Sequence, residues 1–295
     1  MAHSRNKKKL AENSVGHEIK VHPNSANPCA VYEELLKKRG GHFAPVYTRL
    51  LPVTEPVRED AVRFVCVSDT HNQLHRILHR IPSGDVLLHA GDFTYQGTPA
   101  EVADFNETIG RFPHKHKLVI AGNHELCMDP AKLSRSKMDR LVSQWGVTRA
   151  RELLTNCTYL EDEEINIYGY RIYGTPWVPK YLNWAFNVIR GEPLLEKWNR
   201  IPAGVDVLLT HSPPLGHGDL TRSGVRAGCV ELLTTVEERV KPRYHVFGHI
   251  HEAHGATTNK KGSTVFLNAA VCDLHYLPRQ EPFIFDLPLQ LGVKK

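Results

Sequence analysis

Five apolar runs in this chain each end on a residue able to ligate a metal, and that recurrence limits the fold more tightly than any other feature. The endings are Ser68-Asp69-Thr70-His71, Gly91-Asp92, Gly122-Asn123-His124-Glu125, His211 and Gly248-His249-Ile250-His251. Open α/β sheets bind ligands beyond the carboxyl ends of their strands, so such endings in series imply strands that deliver side chains to one edge. Strands are expected at 62–67, 86–89, 117–121, 171–173, 205–210, 244–247 and 264–268. Their near-continuous Val, Leu and Ile character, in place of strict alternation, calls for cover on both faces. Helical patterns fall at 99–111, with Thr98 as cap and Pro99 in the first turn, and at 230–240, stopped by Pro242. Segments 129–151 and 194–198 also read as helical.

Outside this rhythm the chain is simpler. Residues 1–27 are polar and aperiodic and are expected to form a disordered tail. Residues 28–59 read as an N-terminal extension packing on the core, with a short helix at 31–38 and a Pro-containing connector at 45–56. One main domain spans 60–290. The net charge of +5 partly reflects terminal lysines such as Lys7, Lys8, Lys9, Lys294 and Lys295, so no nucleic-acid polymer is expected as partner. Six cysteines form no Cys-x-x-Cys pair. No apolar segment follows the polar start, and none is long enough to span a membrane. A reduced, cytoplasmic setting is expected; the oligomeric state is left open.

The endings together supply ligands for two ions. A divalent pair can clamp both the attacking and the leaving oxygen of an in-line displacement at phosphorus, and it needs a bridging carboxylate. Asp92, on the Gly-Asp turn, is the expected bridge. Asp69 and His71 reach one metal, with His251 completing that site; His249, Asn123 and His211 fill the second. Carboxylate, amide and imidazole donors suit Mn²⁺, with Fe, Co or Zn as alternatives. Two carboxylates leave a divalent pair net positive, which suits an anionic phosphate. His124 follows Asn123 directly and is the expected general acid, oriented by Glu125 or Asp92. Asn123, His124 and His249 are the expected substrate contacts. Glycines 91, 122 and 248 let the backbone turn tightly beside the ligands.

These motifs resemble those of the calcineurin-like metallophosphoesterase superfamily, Asp-x-His, Gly-Asp, Gly-Asn-His-(Glu/Asp), His and Gly-His-x-His, over residues 63 to 271. Arg63 to His71, Val119 to Leu126, Arg171 to Trp177, His211 to Gly216 and Val230 to Leu233 add a particular likeness to the small metallophosphoesterase-domain-containing proteins of animals. The resemblance implies a four-layer α/β/β/α sandwich of two mixed sheets flanked by helices. It also implies a dinuclear Mn-type site and phosphodiesterase activity on small phosphodiesters, cyclic nucleotides among them. A nucleotide-binding scaffold or sensor with low turnover, and a phosphomonoesterase, are the rival readings. Protein phosphatases of this superfamily carry Asp-Arg-Gly soon after Gly-Asp; Phe93-Thr94-Tyr95 stands here instead, which argues against a phosphoprotein substrate.

Several further residues carry weaker expectations. His89 and His245, inside apolar runs, read as core histidines. His217 and His254 read as loop residues that could touch phosphate; His75, His79, His114 and His116 read as surface positions. Tyr95 has the spacing of an iron-binding tyrosinate in purple acid phosphatases, but His71 takes that coordination place, so a rim or core tyrosine is expected. The aromatic stretch 177–186 reads as a packed lid or ordinary core rather than a base-stacking wall. No arginine pair lies beside the motifs, although Arg190 or Arg226 could fold inward.

Overall fold

A computed structural model describes residues 19–41 and 43–295. Strand β1 (Ala61–Val67) is buried along its whole length, as a β-branched and aromatic segment covered on both faces must be. It runs parallel to β2 (Val86–His89), then β3 (His116–Val119) and β4 (Thr158–Tyr159). The last strand, β13 (Phe283–Pro288), closes this sheet antiparallel to β1. A second sheet has four central parallel strands, in spatial order β12 (Val265–Asn268), β10 (Tyr244–Phe247), β9 (Val207–Thr210) and β6 (Tyr170–Thr175). Antiparallel β11 (Gly255–Thr258) and β5 (Glu163–Ile167) form its edges. The short parallel pair β7 (Val178–Pro179) and β8 (Asn187–Val188) stands apart.

The two sheets pack face to face through Phe64, Leu88, Leu118, Ile172, Leu209 and Leu267. Helices α2 (Pro99–Gly110) and α3 (Arg135–Trp145) cover the outer face of the first sheet, setting Phe105, Ile109 and Leu141 against Val65, Leu87 and Val119. Helices α4 (Glu192–Trp198) and α5 (Val230–Thr234) cover the second, with Trp198 and Leu232 against Leu208 and Phe266. The result is the expected four-layer α/β/β/α sandwich. Helix α2 starts as its sequence indicates: Thr98 and Glu101 form a capping box with Pro99 in the first turn.

Some elements differ from expectation. Segment 230–240 is helical throughout, but after Thr234 it widens into a π-helical stretch, Thr235–Val240, before left-handed Lys241. The long helix expected at 129–151 breaks into a 3₁₀ turn at Pro130–Lys132, α3, and a second 3₁₀ turn at Ala150–Leu153, because Gly146 ends α3 at φ 68°. Of the tail expected at 1–27, residues 1–18 lie outside the described residues. Within residues 19–27, Ile19 and Ser25 are buried and the His22 N–H donates to Glu231 Oε1 at 3.3 Å, so parts of this stretch are anchored. The cap Asn27, which accepts from Ala30 N–H, starts helix α1 (Pro28–Lys38). That helix buries Val31 with Phe43, Leu215, Val230 and Leu233.

Candidate metal centre

Every ligand-bearing ending leaves the carboxyl end of a parallel strand: β1 leads to Asp69 and His71, β2 to Asp92, β3 to Asn123 and His124, β9 to His211, and β10 to His249 and His251. The two sheets thus aim their ligands into one place. Asp69, His71 and His251 form one cluster with donor atoms mutually within 4.8 Å; Asp92, His211 and His249 form another. Asp92 lies between them, its Oδ2 at 3.2 Å from His211 Nε2 and 4.0 Å from His71 Nε2. Asn123 Oδ1 joins the second cluster at 3.1 Å from His211 Nε2. The structure therefore brings together all seven of the expected ligands.

Backbone carbonyls orient the imidazoles. His71 Nδ1–H donates to the Thr94 carbonyl at 3.0 Å, His251 Nδ1–H to Asp273 at 3.0 Å, and His211 Nδ1–H to Ala90 at 2.8 Å. A carbonyl can only accept, so these bonds fix Nδ1 as the protonated nitrogen and leave each Nε2 for a ligand. His71 Nε2 and His251 Nε2 then face each other at 3.1 Å. Two lone pairs at that separation require a cation between them, a proton or a metal ion. This facing pair, beside Asp69, is the observation that makes the donor set fit a divalent ion.

The electrostatics agree. Burial pushes His71 and His249 down to about 4, so both rings are neutral near pH 7. Burial also disfavours charge on His251 and His211, but Asp69 lifts the first to about 9 and Asp92 lifts the second to about 9. Against burial, His251 and His211 hold the Asp69 carboxyl below its usual range, and His211 and His124 do the same for Asp92. Two carboxylates held ionised beside four imidazoles, two of them neutral, make a donor set that suits a divalent ion.

The local backbone is unusual for the same reason. Asp69, His71, Asp92 and His249 adopt left-handed conformations, with φ of 53°, 39°, 53° and 70°. Such non-glycine residues store strain that the surrounding fold must maintain, and they cluster at sites with function. Gly91, at φ 95°, permits the turn that presents Asp92. Gly248 serves by its size: a Cβ there would fall on Asp69 Oδ2 and Ser68 Oγ, while the next residue, His249, donates its N–H to both Asp69 oxygens at 3.0 Å.

His124 faces Asp92, its Nε2 4.0 Å from Oδ2, and therefore also lies within ligand reach of His71 and Asp92. Of the two partners expected to orient it, Asp92 is present, its Oδ1 accepting the His124 backbone N–H at 2.8 Å. Nδ1–H donates to the Tyr95 carbonyl at 2.6 Å, and the ring stacks on Trp184 with centroids 4.3 Å apart and planes at 24°. Glu125 does not touch the ring. Fully buried, it accepts from the N–H groups of Asp92, Thr94 and Gly122 and from the Thr94 hydroxyl, at 2.6–3.0 Å, and so ties two ligand turns together. Burial and the neighbouring Asp92 raise it to about 7.

Other expectations are corrected or refined. His217 is buried and stacks on Phe266 at 3.8 Å, and His254 stacks on Phe283, so neither is an open-loop phosphate contact. His114, expected at the surface, is buried. His89 and His245 are core residues bonded to Thr70 and Thr210. Tyr95 is 43% exposed and sits at the rim. In the 177–186 stretch Trp177 packs into the core, but Trp184 and Tyr181 line a cleft of about 680 Å³ that opens from Asp92, Asn123 and His249. Arg190, Arg226 and Lys180 line the same cleft, which no motif spacing revealed.

Two ligand clusters joined by a carboxylate, set at the strand ends of such a sandwich, define a metal-dependent phosphoesterase centre. The chain belongs to the calcineurin-like phosphoesterase family, whose model matches residues 62–253. It is 48% identical over 283 residues to UPF0046 protein C25E10.12 of Caenorhabditis elegans, covering 94% of this chain and 98% of the relative. It is also 46% identical over 286 residues to metallophosphoesterase domain-containing protein 1 of Homo sapiens, covering 92% and 85%.

Proposed function

We propose that this chain is a phosphodiesterase that uses two divalent metal ions, Mn²⁺ by preference, on small phosphodiesters such as cyclic nucleotides. The observation that carries this reading is Asp92, whose Oδ2 lies 4.0 Å from His71 Nε2 of one cluster and 3.2 Å from His211 Nε2 of the other. Asp69, His71 and His251 would hold one ion, Asn123, His211 and His249 the other, with Asp92 shared. Such a pair lowers the pKa of bound water and clamps both oxygens of an in-line displacement.

The remaining roles fall to the protein. Asn123 and His249, at the mouth of the cleft, orient the phosphate. His124 protonates the departing oxygen from Nε2. That donation draws on a second ring proton, at Nε2, because Nδ1–H is committed to the Tyr95 carbonyl. Trp184 fixes the ring plane by stacking on it. No helix among the described residues is long and apolar enough to cross a membrane, and all six cysteines are free thiols, which supports a reducing cytoplasmic setting.

Among the described residues the ion pairs of Asp69 and Asp92 are all with histidines, so the metals would carry most of the charge that meets the scissile phosphate. A diester monoanion leaves room for the attacking oxygen where a dianion competes with it. With Mn²⁺, kcat/KM is expected to be higher on bis-p-nitrophenyl phosphate than on p-nitrophenyl phosphate. A reversed preference under the same metal and pH would replace the diesterase reading with a monoesterase.

A further inference from the structure

We propose that the part of the cleft walled by Lys180, Arg190 and the 221–227 loop is a second anion subsite, which receives a phosphate group other than the one being cleaved. The inference rests on the phosphodiester reading of the same cleft and adds a substrate feature to it.

Three basic side chains line the cleft: Lys180, Arg190 and Arg226. Arg226 is committed. Its guanidinium pairs with buried Asp219 at 2.6 Å and lies over the Tyr32 ring at 3.8 Å, while its backbone N–H points to Cys29 Sγ at 3.3 Å. It is therefore the fastening between helix α1 and the 219–228 segment, and Pro28 at the head of α1 reaches the cleft wall.

Arg190 is different. Nη1 donates to the Gly228 carbonyl and Nη2 to the Ala227 carbonyl, both at 2.7 Å. Those two bonds hold the fork in place yet leave three of its five N–H donors unassigned. No carboxylate pairs with Arg190 or Lys180 among the described residues. A half-buried guanidinium without a counter-ion calls for one, and a fixed planar fork matches two oxygens of a phosphate.

Topology places the second cation beside it. Pro179 of β7 pairs with Val188 of β8, and the Lys180 N–H donates to the Val188 carbonyl at 2.7 Å. Lys180 and Arg190 thus leave the same end of this parallel pair. The connection between its strands carries Trp184, stacked on His124. One rigid unit therefore links the proposed acid to both unpaired cations. Thr221 and Ser223 line the same cleft. The Thr221 hydroxyl donates to the Val225 carbonyl at 2.9 Å and Ser223 Oγ lies 3.0 Å from that hydroxyl, so the cationic side chains are the donors in view. A small substrate bearing a second phosphate would span this arrangement, with one phosphate at the ligand clusters and the other on Arg190.

The test is calorimetric binding to the metal-loaded full chain, with adenosine 5′-monophosphate and adenosine 3′,5′-bisphosphate as probes. Charge-assisted bonds of this kind predict that the bisphosphate binds about tenfold more tightly. In Arg190→Gln that ratio is expected to fall close to one, in Arg190→Lys to be intermediate, and in Lys180→Gln to fall about threefold. Thermal melting establishes that each variant is folded. Equal affinities in the unsubstituted protein, absence of binding by either probe, or an undiminished ratio in a folded Arg190→Gln would each overturn the subsite. If Arg190→Gln does not fold, the unsubstituted ratio and Lys180→Gln decide. Turnover of bis-p-nitrophenyl phosphate by the unsubstituted protein judges the phosphodiester reading separately, because that compound carries no second phosphate.

Discussion

Alanine at His124 is expected to lower kcat by ~10²–10⁴ on a diester whose leaving group is a ribose hydroxyl, the range for loss of a positioned general acid. On bis-p-nitrophenyl phosphate the loss should be small, since p-nitrophenolate departs without a proton. The ring is held by Tyr95, Trp184 and its distance to Asp92, and the two proposed ligand sets are complete without it. Metal content and product affinity should therefore survive the substitution. Equal losses on both substrates would show that His124 orients the phosphate instead, and loss of metal would make it a ligand.

A methyl group at Gly248 should be nearly as damaging although it removes no functional atom. In Gly248→Ala the added Cβ would clash with Asp69 Oδ2 and Ser68 Oγ, so the Asp69 carboxylate is expected to shift from its place beside His251. Misplacing reacting groups by about 1 Å can cost on the order of 10²-fold in rate, and activity should fall at least that far. The stabilisation that metal gives the native protein in thermal melting should shrink in parallel. Gly146→Ala is the control. That residue ends α3 at φ 68° with open space around it, so alanine should cost only ~1 kcal/mol of stability and leave activity intact. Full activity in Gly248→Ala would mean that Asp69 is not a ligand.

The legible part of this molecule was the part written in short-range pattern. Strands 86–89 and 244–247 lie where the apolar runs place them. The ligands at their ends converge because parallel strands share a carboxyl edge. Pairings made across long separations were not legible: Ala61 meets Pro288 in the β1–β13 ladder, and nothing local to either announces it. Edge strand β5 reads Glu-Glu-Ile-Asn-Ile, too polar to stand out as a strand. Within the site, the residue types named the ligands but not what aims them. Thr94, Tyr95, Ala90 and Asp273 act through carbonyls that every residue possesses. The adjacent Glu125 looked like a partner for His124; its burial and its four donors show a tie between turns. Arg190 and Trp184 sit far from the motifs in sequence and enter the cleft only through the β7–β8 unit.

The central claim is that one carboxylate joins two ions, and metal analysis tests it most directly. Purified protein reconstituted with Mn²⁺ should hold two ions per chain, as two clusters sharing Asp92 require. His251→Ala and His249→Ala should each lose occupancy at one site, and Asp92→Asn at both. A single ion in the unsubstituted protein, or full occupancy retained in His251→Ala and His249→Ala alike, would contradict it.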